Sequence, residues 1–254
     1  MSRNAVATTI RQCRRQLTAR GSIAVEHPLS LEEAYQVQVE LARAREADGD
    51  PVIGYKLGLI SRAKQEQMKV SEPIIGHLHR SMLIQPGEAI ERRRFIQPRV
   101  EPELAVVFDR TPPEDFRAGD LLACIAYVQL VVDVLDSIYD GYRFTAADVV
   151  ADNASGGAVV VSGRVLPPEV LWRQEGALRV SLDARAWAEG TIADLGDPVA
   201  LLVWAAEQAR RLGRGIRAGD MVLLGAPCSA ARIGEARMLA AEGPAGSRLV
   251  APIV

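Results

Sequence analysis

Cysteine is scarce. The three in 254 residues, Cys13, Cys124 and Cys228, lie far apart. That excludes a disulfide framework and any zinc-binding spacing, and it suits a reducing compartment such as the cytoplasm. A surplus of positive charge is missing too. Lys+Arg number 30 against Asp+Glu 32, a net charge of −2, so the chain lacks the basic excess with which nucleic-acid binders neutralise phosphates. No apolar run is long enough for a membrane. The longest, 121–135, is interrupted by Gln129 and Asp133 and falls short of the roughly 20 residues a spanning helix needs. The basic opening, 1–17, has no continuous apolar core and does not read as a secretory signal, so the sequon Asn153-Ala154-Ser155 carries no weight. Neither G-x-G-x-x-G nor G-x-x-x-x-G-K-[ST] occurs, which leaves nucleotide binding without support. There is no low-complexity linker and no internal repeat.

What is present is globular composition, 48% hydrophobic and 24% charged, enough for one large domain with a core of its own. Residues 1–50 read as helical. Val6, Ile10, Cys13 and Leu17 recur at helical spacing until Gly21. Ser30 and Glu33 form a capping box after Pro28, Ala34, Val37 and Leu41 mark a buried stripe, and Asp48-Gly49-Asp50-Pro51 ends the helix. This predicts a helical cap, 1–50, packed on a body, 51–254. In the body, β-like runs at 52–59, 100–108, 127–135, 158–161, 178–182 and 221–224 mix unevenly with helices. One helix follows Ser61, one follows Gly119-Asp120, and one starts at Asp197-Pro198 and stops at Gly213. Uneven mixing predicts an α+β fold rather than a regular βαβ sheet.

The carboxylates carry the chemistry. A strand over 100–108 puts Glu101 and Glu103 on one face, with Val100, Leu104 and Val106 on the other. Two such acids repel. A wet face, Arg99 or a divalent cation would offset that, and oxygen-only ligands suit Mg²⁺ or Mn²⁺. Pro102 between them implies an edge strand or a bulge. Asp133 shares a face with Gln129, opposite Leu130, Val132 and Val134. An acid in so apolar a run must be paired, protonated, metal-bound or on a wet face. Lys56 lies between Gly54 and Gly58, which permit close approach of backbone or ligand, although spacing alone favours a surface lysine. Asp152–Gly157 is a polar loop whose amides and Ser155 suit a carboxylate, or simply a turn. His77 and His79 share a strand face and, with no carboxylate motif beside them, read as surface residues. Cys228 beside Ser229 hints at a nucleophile only faintly, since no histidine follows it.

Four blocks of sequence, in order, resemble the 2-keto-4-pentenoate hydratase/oxalocrotonate decarboxylase family of the fumarylacetoacetate hydrolase superfamily. They are Gly54–Ser61 with Glu72–Leu78, Gln97–Ala105, Val132–Ser137 running on to Ala151–Gly156, and Asp197–Trp204 with Ala218–Leu223. The resemblance implies a mixed β-roll of the fumarylacetoacetate hydrolase C-terminal type with helices at the N-terminus. It implies a divalent ion, Mg²⁺ or Mn²⁺, held by Glu101, Glu103 and Asp133, the last in place of the family's usual Glu and so one methylene shorter. It implies catalytic roles for Lys56 and Ser155, with Leu57, Asp152, Asn153 and Ser155 around the substrate. The implied reaction is hydration of a 2-hydroxy-2,4-dienoate or its 2-oxo tautomer through a metal-stabilised enolate. Decarboxylation of a 2-oxo-3-enedioate is the alternative; C–C hydrolysis of an acylpyruvate lacks a convincing base. A homo-oligomer is implied as well, working in the cytoplasm.

Some positions depart from the family. Ile60 stands where Thr is frequent, Ile74 where some hydratases carry an acid, and Ile138 where Arg is usual. The end, 225–254, lacks the usual Thr/Ser-Gly turn and final strand pattern. These departures favour a rival reading, a non-catalytic chain that partners a related pathway enzyme. Retention of Glu101, Glu103 and Asp133 opposes it.

Overall fold

Serine caps start the N-terminal helices. Ser2, Ser22 and Ser30 accept backbone N–H groups at the heads of α1 (Arg3–Gln16), α2 (Ile23–Glu26) and α3 (Leu31–Ala47). The capping box between Ser30 and Glu33 is formed. The computed structural model describes all of residues 1–254. After the helices the chain runs β1 (Val52–Gly58), α4 (Arg62–Met68), β2 (Ile74–His79), β3 (Leu83–Ile84), β4 (Arg99–Phe108), α5 (Ala118–Leu122), β5 (Ile125–Leu135) and α6 (Ala146–Ala151). It continues through β6 (Gly156–Leu166), α7 (Val170–Arg173), β7 (Ala177–Leu182), β8 (Arg185–Thr191) and α8 (Pro198–Arg211). It ends with β9 (Met221–Leu223), β10 (Ala231–Arg232), β11 (Met238–Glu242) and β12 (Arg248–Pro252). No helix is long and apolar enough to cross a membrane.

The strands form two sheets. The larger has the order β2-β1-β9-β4-β5-β6-β3, with β10 also on β4, and the smaller the order β12-β11-β7-β8. Parallel pairs, β1 with β9 and β3 with β6, sit among antiparallel ones, so the sheet is mixed, as expected. The chain's last residues still form strands: β11 and β12 pair, Met238–Glu242 against Arg248–Pro252. One face of β4 and β5, with Val100, Leu104, Val106, Leu130, Val132 and Val134, packs on the smaller sheet and α8 in the main core. A second core joins α1, α2 and α3 to α6 and to Ile74, Ile138 and Tyr139. The helical cap is therefore welded to the body by its own apolar cluster.

Two expectations need correction. Pro102 is not in an edge strand: β4 is central, with β5 on one flank. On the other flank β10 pairs at Arg99 and Val100 and β9 at Ala105–Val107. Pro102 falls between those two partners, where its missing N–H removes no ladder bond on that flank. His77 and His79 are not surface residues. Both are buried, because β2 is covered on both faces. Backbone proximity also explains Gly54. It has φ +147°, and a Cβ there would lie 1.9 Å from the carbonyl oxygen of Met221 on β9.

Candidate metal centre and active-site pocket

Register brings the acids together. Glu101 on β4 is the direct cross-strand partner of Asp133 on β5, and Glu103 lies opposite Val131. With a side-chain period of two, all three point to the face opposite the main core. Their carboxylate oxygens come within 4.8 Å of one another, and all three residues are buried. Lys56 reaches the same face. Across the sheet it pairs with Leu223 of β9, which pairs with Ala105 of β4.

The charges are sparsely matched. Lys56 Nζ lies 2.6 Å from Asp133 Oδ2 and donates to the carbonyl of Ala154 at 2.9 Å. The lysine is almost wholly buried, so the surface reading of it does not hold. Lys64 of α4 stands 3.8 Å from Glu101 Oε1. The Gly225 amide donates to Glu103 Oε2 at 2.7 Å. Gly225 has φ +85°, and a Cβ there would meet Ile60 at 2.8 Å, so the strand end can present that amide only as glycine. Glu103 Oε1 and Asp133 Oδ1 accept no hydrogen bond. Burial pushes Glu101, Glu103 and Asp133 above the ordinary carboxylate range; the neighbouring Asp133 adds to the rise at Glu103, and Lys56 opposes it at Asp133. Buried acids with open oxygens and no thiol or imidazole among them fit a hard divalent cation. Asp133 meets the other two despite its shorter arm.

A cavity of about 330 Å³ opens beside these acids. Lys56, Leu57, Glu101, Asp133 and Ser155 line it, together with Lys64, Arg99 and Tyr142. Ser155 Oγ is buried there without a partner. Asp152 and Asn153 do not line it. The Asp152 carboxylate takes Arg14 Nη2 at 2.6 Å and the Ile138 amide at 3.1 Å. Burial pushes Asp152 up to about 6, with Arg14 pulling the other way. Asn153 accepts from the His77 amide at 2.7 Å and donates to the His77 carbonyl at 2.9 Å. Both residues thus fasten the loop rather than face the cavity. Asn153, Ala154 and Ser155 have φ of 55°, 52° and 53°, three successive left-handed residues without a glycine. Such strain persists only where neighbours hold it. Here it presents the Ala154 carbonyl to Lys56 and Ser155 to the cavity. Cys228 is no nucleophile candidate: burial, with Glu101 nearby, pushes its thiol up to about 11.

Sequence reading missed Arg14. It sits among Arg11 and Arg15 on α1, and nothing in its neighbourhood separates it from a surface arginine. Tyr142 was missed for the same reason. Lys64 carried one usable signal, its place in the first turn after the Ser61 cap.

A two-sheet mixed roll with an oxygen-only acid trio on its inner face defines a fumarylacetoacetate hydrolase fold. The chain belongs to that family: the model for the fumarylacetoacetate (FAA) hydrolase C-terminal domain matches residues 43–248. Among its relatives are the 4-oxalocrotonate decarboxylase of a Pseudomonas species and the 2-keto-4-pentenoate hydratase of Burkholderia vietnamiensis. The first is 35% identical over 203 residues, 80% of this chain and 78% of that protein. The second is 35% identical over 195 residues, 76% and 74%. The structure of 4-oxalocrotonate decarboxylase from Pseudomonas putida G7, complexed with magnesium and adipate, superposes with a TM-score of 0.91 at 28% identity, covering 100% of this chain and 99% of that one.

Proposed function

We propose that this chain is a metal-assisted lyase that hydrates a 2-hydroxy-2,4-dienoate, taken as its 2-oxo tautomer. The observation that carries the reading is the trio Glu101, Glu103 and Asp133, buried, with oxygens within 4.8 Å and partly without partners. A divalent cation held by these three residues, Mg²⁺ or Mn²⁺, would supply Lewis acidity toward a 2-oxo acid. Lys56 carries the proton. Its ammonium is fixed between the Ala154 carbonyl and Asp133 and exchanges a proton with the substrate carbon. Ser155 Oγ, with no protein partner, donates to the substrate carboxylate. Leu57, Leu59, Ile74 and Val149 line the cavity and limit the water that reaches the diene. In this reading Asp152 and Asn153 serve the substrate through the shape of their loop.

A second reading is decarboxylation of a 2-oxo-3-enedioate, favoured by the likeness to the decarboxylase complexed with magnesium and adipate. The same residues act: the bond between C5 and the terminal carboxylate breaks, CO₂ leaves, and the electron pair passes through the 3-ene to the 2-oxygen, which leaves a 2-hydroxy-2,4-dienoate. The two are separated by incubating the Mg²⁺-loaded protein with 2-hydroxypenta-2,4-dienoate in ¹⁸O-water and, separately, with 2-oxohex-3-enedioate. Label in the product supports hydration, and CO₂ release supports the second reading. No turnover of either, with Mg²⁺ or Mn²⁺, overturns both and leaves the non-catalytic partner. Homo-oligomeric assembly in the cytoplasm, with or without a related pathway enzyme, belongs to the same proposal and is read by light scattering of the purified chain.

A further inference from the structure

A second cavity, of about 580 Å³, lies among α1, α3 and the loop before β6, within the ~300–1,000 Å³ usual for small-ligand sites. None of the acid trio lines it, nor does Lys56. The strained loop separates the two spaces. Ala154 and Ser155 line the cavity beside the acids, while Asp152, Asn153 and Gly156 line this one.

Its charge is lopsided. Five arginines line it against three aspartates. Arg14 is spent on Asp136 and Asp152, and Arg45 on Asp50. Arg11 and Arg15 of α1 make no ion pair and no side-chain hydrogen bond. Arg94 has only the Ser81 carbonyl, at 3.4 Å. Among the aspartates only Asp48 is left over. Three free guanidiniums around one cavity suit an anion.

The inner wall asks for something else. Gln38 of α3 is almost wholly buried, and its Nε2 donates to the carbonyls of Ile75 and Val150 at 2.9 and 2.7 Å. Its Oε1 has no partner. His79 Nδ1 donates to the Asp50 carbonyl at 2.9 Å, so Nε2 is an acceptor, and no protein donor meets it. Two idle acceptors call for a hydroxyl or N–H on the ligand, since buried polar groups are normally paired. Ile10, Leu41 and Phe95 also line the space and suit an apolar body.

We propose that this cavity is a second ligand site, for a small organic anion with an apolar body and a hydroxyl group. The anion lies on Arg11, Arg15 and Arg94, the body against Ile10, Leu41 and Phe95, and the hydroxyl donates to Gln38 or His79. Such a ligand braces the loop from the side opposite Ser155.

The test is titration calorimetry of the full chain in EDTA, which keeps metal-held carboxylates out of the reading. The probes are 4-hydroxybenzoate, benzoate and inorganic phosphate. 4-Hydroxybenzoate is expected to bind about two- to tenfold more tightly than benzoate, the scale of one hydrogen bond. Phosphate binds most weakly, having nothing to lay against Phe95. Arg11→Gln combined with Arg15→Gln weakens 4-hydroxybenzoate by about tenfold or more. Should that protein fail to fold by circular dichroism, Arg94→Gln carries the same comparison from outside α1. Hydrogen exchange at the amides of 152–156 slows when 4-hydroxybenzoate is added. Phosphate binding as tightly as 4-hydroxybenzoate would reduce the cavity to a basic patch and overturn the proposal. So would benzoate binding equally well, affinity unmoved by loss of the arginines, or no binding of any probe to the folded parent.

Discussion

A carboxylate cut off from water must find a proton, a cation or an N–H. Glu103 finds one amide, Gly225, and leaves Oε1 without a partner. Burial and the nearby Asp133 both oppose its charge. Such a residue is costly to the fold and useful only to a bound ion. Glu103→Ala is therefore expected to lower Mg²⁺ or Mn²⁺ affinity by more than about 100-fold, beyond the usual loss of a mere supporting contact. Equilibrium dialysis checks it, and full metal binding in the variant removes Glu103 from the ligand set. His77 poses the converse problem. Burial, with small additions from His79 and Arg214, lowers it from 6.5 to about 3. Its folded pKa is thus below its unfolded one. Between pH 6.5 and about 3 the unfolded chain takes up a proton that the folded chain refuses, so stability falls as pH falls. The loss approaches about 1.4 kcal/mol per pH unit where linkage is complete. Urea unfolding at pH 6.5, 5.5 and 4.5 should show a shallower decline in His77→Leu than in the parent; parallel declines would show that His77 titrates normally.

The same accounting changes when a whole segment is strained. Three left-handed residues, Asn153 to Ser155, cost of order 1–3 kcal/mol each. Three fastenings hold them: Asn153 clasping both polar groups of His77, Asp152 gripping the Ile138 amide, and Arg14 bridging Asp136 and Asp152. Arg14 comes from α1, so a helix remote in sequence sets the loop that carries Ser155. Arg14→Met leaves two buried aspartates without their cation and is expected to cost about 3 kcal/mol, a fall of roughly 6–12 °C in melting temperature. Scanning calorimetry measures it, and an unchanged transition would mean the loop holds itself. These elements differ in how plainly the sequence announced them. The caps at Ser30, Ser61 and Asp197 were legible because capping is local. So was the shared face of Glu101 and Glu103, because strand alternation suffices; Asp133 joined them only through the family resemblance, since the register between β4 and β5 is not written in either strand. The left-handed loop was not, since no glycine marks it. Buried Lys56 was not legible from spacing, because its compensation comes from β5 and the loop. β8 escaped notice because it is mostly exposed, and the burial of His77 and His79 on β2 because cover on both faces leaves no alternation to read.

Across the whole molecule, two apolar cores meet at the site from opposite directions. The main core fixes β4 and β5 from behind the acids, and the cap core fixes α6, Ile74 and Ile138 behind the loop. The departures Ile74 and Ile138 fall in that second core, Ile74 also lining the cavity, and neither belongs to the acid trio. A ligand that bridges β4 and β5 at this junction must stabilise the entire fold, because it binds only when both cores are in place. At a free cation concentration of 100 times its dissociation constant, linkage gives about 2.7 kcal/mol. For a chain of this size that is a rise of roughly 5–10 °C in melting temperature. Thermal unfolding in MgCl₂ or MnCl₂ against EDTA is expected to show the rise in the parent and none in Glu103→Ala. CaCl₂ serves as a third arm, because its larger, more flexible shell tolerates a trio set for a smaller ion less strictly. A parent protein whose melting temperature ignores all three cations would show that the trio binds none of them, and would leave the buried acids as a feature of the fold alone.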